Sequence, residues 1–564
     1  MIKRYIKHIK NRNIMKHHVR RLILLLLYFS TVCLLDVTAS IPRLAVILVI
    51  DQLTNHIFAS IHHNLVGDLK KLMQSGINFT HAYMPHGLPS TATGHAALNT
   101  GTFAKDHGIV ANSWYSDDDK KIFVDHDNSP HAKVFGASDA TVGKSAHHLM
   151  VDGISDTAII YPSSGGTNKV FTLSLKSYSA VMCAGHLGKA LWFDEQQGKF
   201  TSSRAYFEQL PPWLIQFNNS HKIPDFITWS PCHCVLSCFY KNVCPSARIE
   251  DLLLFESPIK THENINDVET YKNFLKTLQA TQLLFDAARA CIAAELSCNK
   301  NDQLIIWILI SSTDFVGHEF GTQSVPYIDL VYHIDYQFKK FMRFVTRFMK
   351  SSDVVWILLS DHSSAPVPEL LEQEGYRSAR RINTTELEET ICKAIQHVSH
   401  NTILSMTVSS PYVYIAKNHL NAIDTQQRNV LFRTEQETLS NTPYIKRAWT
   451  YEQLKNTVFD PYTPEYNLQQ QLYPERSGTI IFQVAPYCQT SKYTSGTTHE
   501  SPYNYDIHVP LVIYQKGSVE RKIINEPVLT LQVAPTIAYL MQVPKPSMCT
   551  FSMLPGIVGH EVFM

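Results

Sequence analysis

Three apolar runs that end in acidic residues most strongly constrain the fold of this chain. They cover residues 43–50, 303–311 and 353–359, and they lead into Asp51, into Asp314 and His318, and into Asp361 and His362. Continuous apolar runs of this length are typical of strands buried on both faces of a parallel sheet. Parallel strands end at one edge of a sheet, where α/β proteins bind their ligands. The sequence therefore predicts an α/β fold whose acidic strand ends lie close together.

Further strands and helices complete this prediction. The alternating run 169–175 ends in Lys176 and indicates another strand, and shorter strands are expected at 479–485 and 511–514. Amphipathic patterning predicts helices at 65–76, 329–350 and about 530–541, and one helix from about 264 to 296.

Residues 88–101 predict a tight turn that leads into a helix. Pro89 precedes Ser90, Thr91 and Thr93, which are residue types favoured at helix N-termini, and Gly101 suits a helix end. Free N–H groups and the helix dipole at such an N-terminus favour an oxyanion or a bound phosphate. Taken alone, however, the stretch is more typical of an ordinary capped surface helix.

The acidic and imidazole side chains at the strand ends suit a metal site. Asp and neutral His are common zinc ligands, and His499 adds another imidazole near the C-terminus. Two metal ions a few ångströms apart can bind both the attacking and the leaving oxygen of a phosphoryl transfer. Any one of these residues is more often a helix cap or a structural histidine. Four such clusters together with a hydroxyl at a helix start favour metal-dependent chemistry.

The order of these motifs resembles the alkaline phosphatase superfamily. The matching motifs run from Asp51-Gln through Thr91-x-Thr-Gly-His-Ala, Gly108-Ile-x-x-Asn112-x-Trp-Tyr, Ser174-Leu-Lys176, Thr313-Asp314-x-x-Gly-His318 and Ser360-Asp361-His362 to Gly496-Thr-x-His499. Within the superfamily, the chain is most similar to bacterial periplasmic alkaline phosphatases with a threonine nucleophile, relatives of the nucleotide pyrophosphatase/phosphodiesterases. The resemblance extends from residue 43 to the C-terminus. It implies a mostly parallel central sheet flanked by helices, with cap insertions.

The resemblance also implies a role for each site residue. Thr91 would be the nucleophile, transiently phosphorylated, and would bind one of two Zn²⁺ ions. That ion would be held by Asp51, Asp361 and His362, and the second by Asp314, His318 and His499. The substrate-binding positions would be Asn112, Lys176 and Tyr178. The substrate would be a small phosphorylated molecule.

Two positions depart from the family pattern. Tyr178 stands where the phosphomonoesterases have the arginine of a Lys-x-Arg motif, and Glu500 stands where the family usually has glycine. Tyrosine offers one hydrogen bond and no charge to a dianionic phosphate, whereas arginine offers a bidentate cation. A phosphomonoesterase is the first hypothesis. A phosphodiesterase or nucleotide pyrophosphatase on the same site, and a non-catalytic metal-binding relative, remain alternatives.

The N-terminus predicts export. Residues 1–40 combine basic residues, an apolar run at 22–35 and small residues before a cleavage point after Ala39 or Ser40, as in a signal peptide. The alternative is an uncleaved anchor. We expect a periplasmic or secreted protein whose catalytic domain is residues 41–564, with a Cys-rich cap insertion at about 183–299 and a second insertion at about 401–454.

Composition limits the partners and the cysteine chemistry. The formal net charge of +1 gives no indication of nucleic-acid binding, and no apolar run beyond the N-terminal segment is long enough to span a membrane. Export permits disulfides, which are favoured over a structural zinc for the cluster Cys232, Cys234, Cys238 and Cys244, because its spacing does not match a zinc ribbon. The pairing is not determined by the sequence.

Overall fold

The structure, a computed structural model, covers most of the chain after the N-terminal segment. It describes residues 41–162, 165–224, 226–227, 229–233, 238–241, 244, 259–260, 268–296, 299–398, 406–461, 463–491 and 494–557. The signal peptide predicted at 1–40, Cys234 and much of the predicted cap insertion lie outside the described residues.

A ten-stranded sheet forms the centre of the fold. Its strands are β1 (Leu44–Ile50), β2 (Ile77–Tyr83), β3 (Asn168–Ser174), β4 (Lys189–Asp194), β5 (Lys199–Thr201), β6 (Gln303–Ile310), β7 (Val354–Leu359), β8 (His508–Tyr514), β9 (Lys522–Ile524) and β10 (Val528–Leu529). Their spatial order is β9-β2-β8-β7-β1-β6-β3-β4-β5, and β10 also pairs with β2.

The centre of this sheet is parallel, as the apolar runs predicted. β1 pairs in parallel with β6 and β7, β6 with β3, and β3 with β4. β8 runs antiparallel to both β7 and β2, and β5 runs antiparallel to β4. Every residue of β1 is buried, because the strand lies between two strands and under helices on both faces. The predicted α/β class with a mostly parallel sheet is confirmed.

Helices cover both faces of the sheet. They include α1 (Asp68–Ser75), α2 (Thr91–Thr100), α3 (Ser177–Ala184), α4 (Leu278–Glu295), α5 (Ser312–Phe320), α6 (Val325–Phe348) and α8 (Val533–Met541), whereas α7 (Thr425–Asn441) packs on a second sheet. Alternate residues of β1 point to opposite faces and so enter two separate apolar cores. One core contains α4 and α6, and the other contains α2 and α8.

Some elements differ from the sequence prediction. The single helix expected at 264–296 is two helices in the described residues, Val268–Leu275 and α4, because Thr277 accepts a hydrogen bond from the Ala280 N–H and caps the second. Strand β2 was not predicted. β4 and β5, which belong to the central sheet, fall inside the stretch proposed as the cap insertion.

A second, four-stranded sheet lies in the C-terminal half of the chain. Its strands are Met406–Ser409, Tyr412–Ile415, Ile445–Thr450 and Ile480–Val484, all paired antiparallel. The strand predicted at 479–485 therefore belongs to this sheet. α7 packs on it, together with the helix Thr384–Val398, to form a separate apolar core.

Two further predictions concern the membrane and the cysteines. Among the residues that the structure describes, no helix has the length and apolar content needed to cross a bilayer. Cys232, Cys238 and Cys244 are free thiols rather than members of a disulfide. Asp329 of α6 holds two residues near these cysteines in sequence. Its carboxylate accepts hydrogen bonds from the Trp229 indole at 2.7 Å and the Tyr240 hydroxyl at 2.6 Å.

Candidate functional site

The ends of four adjacent parallel strands bring charged side chains together. Lys176 follows β3, Asp51 follows β1 and Asp361 follows β7, while Asp314 lies in the first turn of α5 after β6. All four are almost completely buried, with exposed fractions of 0 to 6%. Burying this many charges requires strong partners or a bound cation.

Lys176 contacts two of these carboxylates. Its Nζ lies 2.8 Å from Asp51 Oδ2 and 2.5 Å from Asp314 Oδ2, and it donates to Thr91 Oγ1 at 3.3 Å. Burial lowers the pKa of Lys176, but the charges of Asp314 and Asp51 outweigh burial and raise the pKa well above its usual value. Lys176 is therefore a permanent cation beside the Thr91 hydroxyl.

Thr91 begins the fully buried helix α2. Ser90 is the N-cap residue and its Oγ lies 2.9 Å from Thr93 Oγ1, while Gly101 ends the helix with φ 67°. A Cβ at Gly94 would come within 2.4 Å of the Asp361 carbonyl oxygen. Glycine at position 94 therefore lets the start of α2 approach the end of β7 at Asp361. The predicted turn and helix are buried, unlike those of an ordinary surface helix.

Three histidines direct Nε2 toward the carboxylates and use Nδ1 for a backbone contact. The Nδ1 atoms of His318, His362 and His499 each lie 2.8–3.1 Å from a backbone carbonyl oxygen, namely those of Thr497, Ser363 and Pro89. A hydrogen bond from Nδ1 leaves Nε2 unprotonated in a neutral ring and free to bind a metal ion. Because burial lowers the pKa of His362 to about 3, this imidazole is neutral.

The described residues form two groups with the geometry of metal ligands. They are Asp314, His318 and His499, and Asp51, Asp314 and His362, and in each group one donor atom per residue lies within 4.8 Å of the others. Asp361 was expected to join Asp51 and His362. It lies beside that group, with its Oδ2 3.6 Å from His362 Nε2.

The unpaired atoms at the centre fit bound cations. Asp51 Oδ1, Asp314 Oδ1 and Asp361 Oδ2 are buried and accept no hydrogen bond among the described residues, although each lies 3.2–3.3 Å from a histidine ring nitrogen. Burial and the neighbouring carboxylates of Asp314 and Asp361 raise the pKa of Asp51 well above its usual value. A divalent cation would relieve this repulsion, and the mixed oxygen and imidazole donors suit zinc.

Asn112 and Tyr178 lie beside this centre. Asn112 Oδ1 accepts a hydrogen bond from the Ala92 N–H of α2 at 2.8 Å, which leaves its amide N–H₂ as the available donor. Tyr178, in the first turn of α3, places its ring centroid 5.8 Å from Lys176 Nζ. Burial raises the pKa of Tyr178, so its hydroxyl stays neutral.

Glu500, the other departure from the family pattern, has a partner of its own. Its Oε2 accepts a hydrogen bond from the Thr490 hydroxyl at 2.9 Å. Burial raises its pKa, although Thr490 and the nearby His499 and His318 partly oppose this. Glu500 also lines the cavity over the site.

His95 is a further residue of the site that was not among the predicted site residues. Its Nδ1 lies 2.7 Å from the Thr91 carbonyl oxygen and 3.2 Å from Asp361 Oδ2, so the ring links the start of α2 to the end of β7. The spacing of four residues from Thr91 places the ring one helical turn away and was visible in the motif. Its partner Asp361 depends on tertiary contacts.

A cavity of about 660 Å³ opens over these residues. Thr91, Lys176, Asp314 and His499 lie at its buried end. Its walls include Asn112, Tyr178, Phe315, Glu319, Lys276 and Ser410. This volume is sufficient for a small organic molecule.

Comparisons with known proteins agree with this arrangement. Alkaline phosphatase PhoV of Synechococcus elongatus is 24% identical over 529 residues, covering 90% of this chain and 92% of that protein. Alkaline phosphatase PafA of Elizabethkingia meningoseptica is 23% identical over 541 residues, covering 92% and 95%. The crystal structure of wild-type alkaline phosphatase PafA matches with a TM-score of 0.80 at 20% identity, over 92% of this chain and 99% of that one, which shows a shared fold.

The family comparison covers most of the chain. The model of the type I phosphodiesterase / nucleotide pyrophosphatase family matches residues 45–508, from β1 to the start of β8. This range includes every proposed ligand and substrate-binding position. The resemblance to the alkaline phosphatase superfamily is confirmed, and the chain belongs to the type I phosphodiesterase / nucleotide pyrophosphatase family.

Proposed function

We propose that this protein is an exported phosphatase that hydrolyses small phosphate monoesters through a phosphothreonine at Thr91. That it is a phosphoric ester hydrolase agrees with the alkaline phosphatases to which it is similar over nine-tenths of its length. The observation that carries the finer proposal is the position of Thr91 Oγ1. It lies at a helix N-terminus, 3.3 Å from Lys176 Nζ and 3.5 Å from His362 Nε2.

The proposed cofactor is a pair of Zn²⁺ ions. Asp51, Asp361 and His362, with Thr91, would hold one ion, and Asp314, His318 and His499 the other; the Asp314 carboxylate also lies within reach of the first group. When bound, zinc lowers the pKa of hydroxyl groups and of water and offsets negative charge on the transferring phosphoryl group and the leaving oxygen.

The chain's own residues carry the two transfer steps. Thr91 Oγ1 forms a bond to phosphorus, the bond from phosphorus to the ester oxygen breaks, and the departing oxygen gains the proton that Thr91 loses. Water then attacks the phosphothreonine, which restores the threonine hydroxyl and releases inorganic phosphate. The Asn112 amide and the N–H groups at the start of α2 would donate to the phosphoryl oxygens, and the Lys176 ammonium would offset their charge.

A phosphodiesterase or nucleotide pyrophosphatase activity is the second candidate. The observation that favours it is Tyr178, whose neutral hydroxyl replaces the expected guanidinium and adds no charge to bind the second negative charge of a monoester. A non-catalytic metal-binding relative is the third candidate.

One experiment distinguishes these candidates. The zinc-loaded protein is assayed with an aryl phosphate and with the matched aryl methyl phosphate diester. We expect a higher kcat/KM for the monoester, and a preference for the diester of tenfold or more would reverse the assignment. Absence of bound zinc together with inactivity after zinc addition would identify the non-catalytic relative.

The nucleophile is tested separately. Thr91→Ala is expected to lose turnover while its zinc content, measured by elemental analysis, persists through the remaining ligands. Trapped phosphate on the wild-type chain, mapped to the peptide that contains Thr91, is the matching positive observation. Retained turnover in the variant would exclude this role for Thr91.

Export is part of the same proposal. Residues 1–40 have the basic and apolar segments of a signal peptide, and a periplasmic or secreted location follows from cleavage after Ala39 or Ser40. N-terminal sequencing of the protein purified from cells tests this. A chain that retains its apolar segment in a membrane fraction would support an uncleaved anchor instead.

A further inference from the structure

The cavity over the site has a second cation that the proposed reaction does not use. Among the described residues that line it, the lysines are Lys176 and Lys276, and arginine is absent. Lys176 is engaged at the buried end by Asp51, Asp314 and Thr91. Lys276 lies between the helix Val268–Leu275 and α4, within the stretch predicted as a cap insertion.

Lys276 stands at the open end of the cavity. Its side chain is 30% exposed, and its Nζ lies 2.7 Å from Glu319 Oε2, whose side chain is 44% exposed. Glu319 directly follows His318 on α5, so this ion pair borders the ligand group of Asp314, His318 and His499 on the solvent side. An ion pair this exposed is weak and readily exchanges one partner for another anion.

The depth of the two lysines separates their roles. A phosphoryl group that reacts with Thr91 must lie at the buried end, where Thr91 is 1% exposed. The rest of the ester would then extend toward solvent through the cavity that Lys276 also lines. A negative group on that part of the substrate can replace Glu319 as the partner of the Lys276 ammonium.

A buried hydroxyl faces the same cavity. Ser410, between the strands Met406–Ser409 and Tyr412–Ile415, is 8% exposed, and its Oγ has no hydrogen-bond partner among the described residues. Ser410 also lines the cavity. Buried hydroxyls normally have partners, and a polar group on a bound ligand would provide one.

We propose that Lys276 binds an anionic group on the leaving portion of the substrate, so that the preferred substrates are phosphate esters whose alcohol carries a carboxylate or a second phosphate. This inference rests on the proposed function, since it needs the phosphoryl group at Thr91. Glu319 holds Lys276 in place before substrate binds and competes with the anionic group for it. Ser410 adds a hydrogen-bond donor on the second sheet's side of the cavity.

The test compares two aryl phosphates, one with this charge and one without it. The zinc-loaded wild type is assayed with 3-carboxyphenyl phosphate and 3-carbamoylphenyl phosphate, which are alike in size. We expect kcat/KM to favour the carboxylate by roughly three- to tenfold, mainly through KM, as for a partly exposed charged contact. Lys276→Gln should bring this ratio to about one, and Glu319→Gln should increase it.

A control and a binding measurement complete the test. Lys272→Gln removes the same charge from an exposed position four residues away and should keep the wild-type ratio. Calorimetry with 3-carboxybenzylphosphonate and its carboxamide should show the same preference without turnover. A wild-type ratio near one, or an unchanged ratio in Lys276→Gln, would overturn the inference while hydrolysis of both esters upholds the proposed function. If neither ester is hydrolysed, both this inference and the proposed function are overturned.

Discussion

At the scale of single residues, we expect the charge at position 178 to influence which esters suit the proposed site. Tyr178 lies next to the proposed phosphate position and is neutral because burial raises its pKa. Lys176 nearby is a cation, but it shares its charge between the carboxylates of Asp51 and Asp314. A monoester brings one more negative charge than a diester. In the proposed site, the tyrosine would therefore limit selectivity for monoesters.

Tyr178→Arg is expected to increase selectivity for monoesters. A guanidinium can donate two parallel charge-assisted hydrogen bonds to a dianionic phosphate, each roughly twice as strong as a neutral hydrogen bond of about 1 kcal/mol. The ratio of kcat/KM for the aryl phosphate to that for its methyl diester should rise by roughly tenfold or more. Tyr178→Phe adds no charge and serves as the control. An unchanged ratio in Tyr178→Arg would show that selectivity is determined elsewhere.

His95→Ala is expected to weaken zinc binding. The His95 ring lies 3.2 Å from Asp361 Oδ2 and orients that carboxylate from behind the proposed ligand group. Loss of such a supporting residue typically lowers metal affinity by about 10- to 100-fold. Competition with a chromophoric chelator measures this affinity directly. His95→Asn, whose amide N–H₂ can take the place of Nδ1, should recover part of it, whereas equal loss in both variants would indicate a packing defect.

At the scale of elements, the sequence predicted the buried strands well and the irregular parts poorly. β1, β6 and β7 are continuous apolar runs, and these run lengths identified each strand to within one residue. β2 was missed because its apolar residues, Ile77, Phe79 and Ala82, lose the period of two at a bulge in its pairing with β8. The break at Thr277 was missed because both flanking helices have the same apolar periodicity, so only the cap separates them.

The candidate site was likewise predicted where it depends on strand ends and missed where it depends on tertiary packing. Asp51, Asp314 and Asp361 converge because their strands are adjacent, which the strand-end pattern implied. The link from His95 to Asp361 and the position of Lys276 at the cavity mouth depend on packing between segments distant in sequence. Periodicity carries no information about such contacts.

One element, α7, carries a buried carboxylate without a partner. Glu435 is fully buried between Leu431 and Leu439, and neither of its oxygens has a hydrogen bond among the described residues. Burial raises the pKa of Glu435 from 4.5 to about 8. The folded state therefore binds this proton more tightly than the unfolded state, and the stability it gives below pH 4.5 is lost as the pH rises toward 8.

Glu435→Gln is expected to make stability less dependent on pH. At pH 7 ionisation of Glu435 opposes folding by up to about 3 kcal/mol, which the uncharged amide would remove. Urea unfolding between pH 5 and 8.5 measures the effect on the free energy of unfolding. Glu437→Gln, at an exposed position on α7, is the matched control. A wild-type slope in Glu435→Gln would show that this carboxylate is solvated or paired in solution.

At the scale of the whole molecule, the charged residues at the carboxyl ends of the central strands affect both the stability of the fold and the proposed chemistry. Most residues that would bind zinc follow β1, β6 and β7, at the centre of the ten-stranded sheet, and His499 lies in the loop before β8. Without a metal ion, burial and the charges of Asp314 and Asp361 oppose the ionisation of Asp51 and raise its pKa well above 3.8. Ionisation of Asp51 therefore destabilises the metal-free fold at neutral pH. Bound zinc would turn the same charges into stabilising ligands.

Asp51→Asn is therefore expected to have opposite effects with and without zinc. In chelator-treated protein at pH 7.5 the variant should unfold a few degrees above the wild type, because an amide removes the buried charge. With zinc at about a thousand times its dissociation constant, the wild type should gain about 4 kcal/mol, and the variant should gain much less. Scanning calorimetry with and without zinc measures both effects, and Asp118→Asn, at an exposed position, should match the wild type in each condition. If Asp51→Asn were less stable than the wild type in chelator, the ion pair with Lys176 would outweigh the repulsion, and the carboxylate cluster would stabilise the fold even without metal.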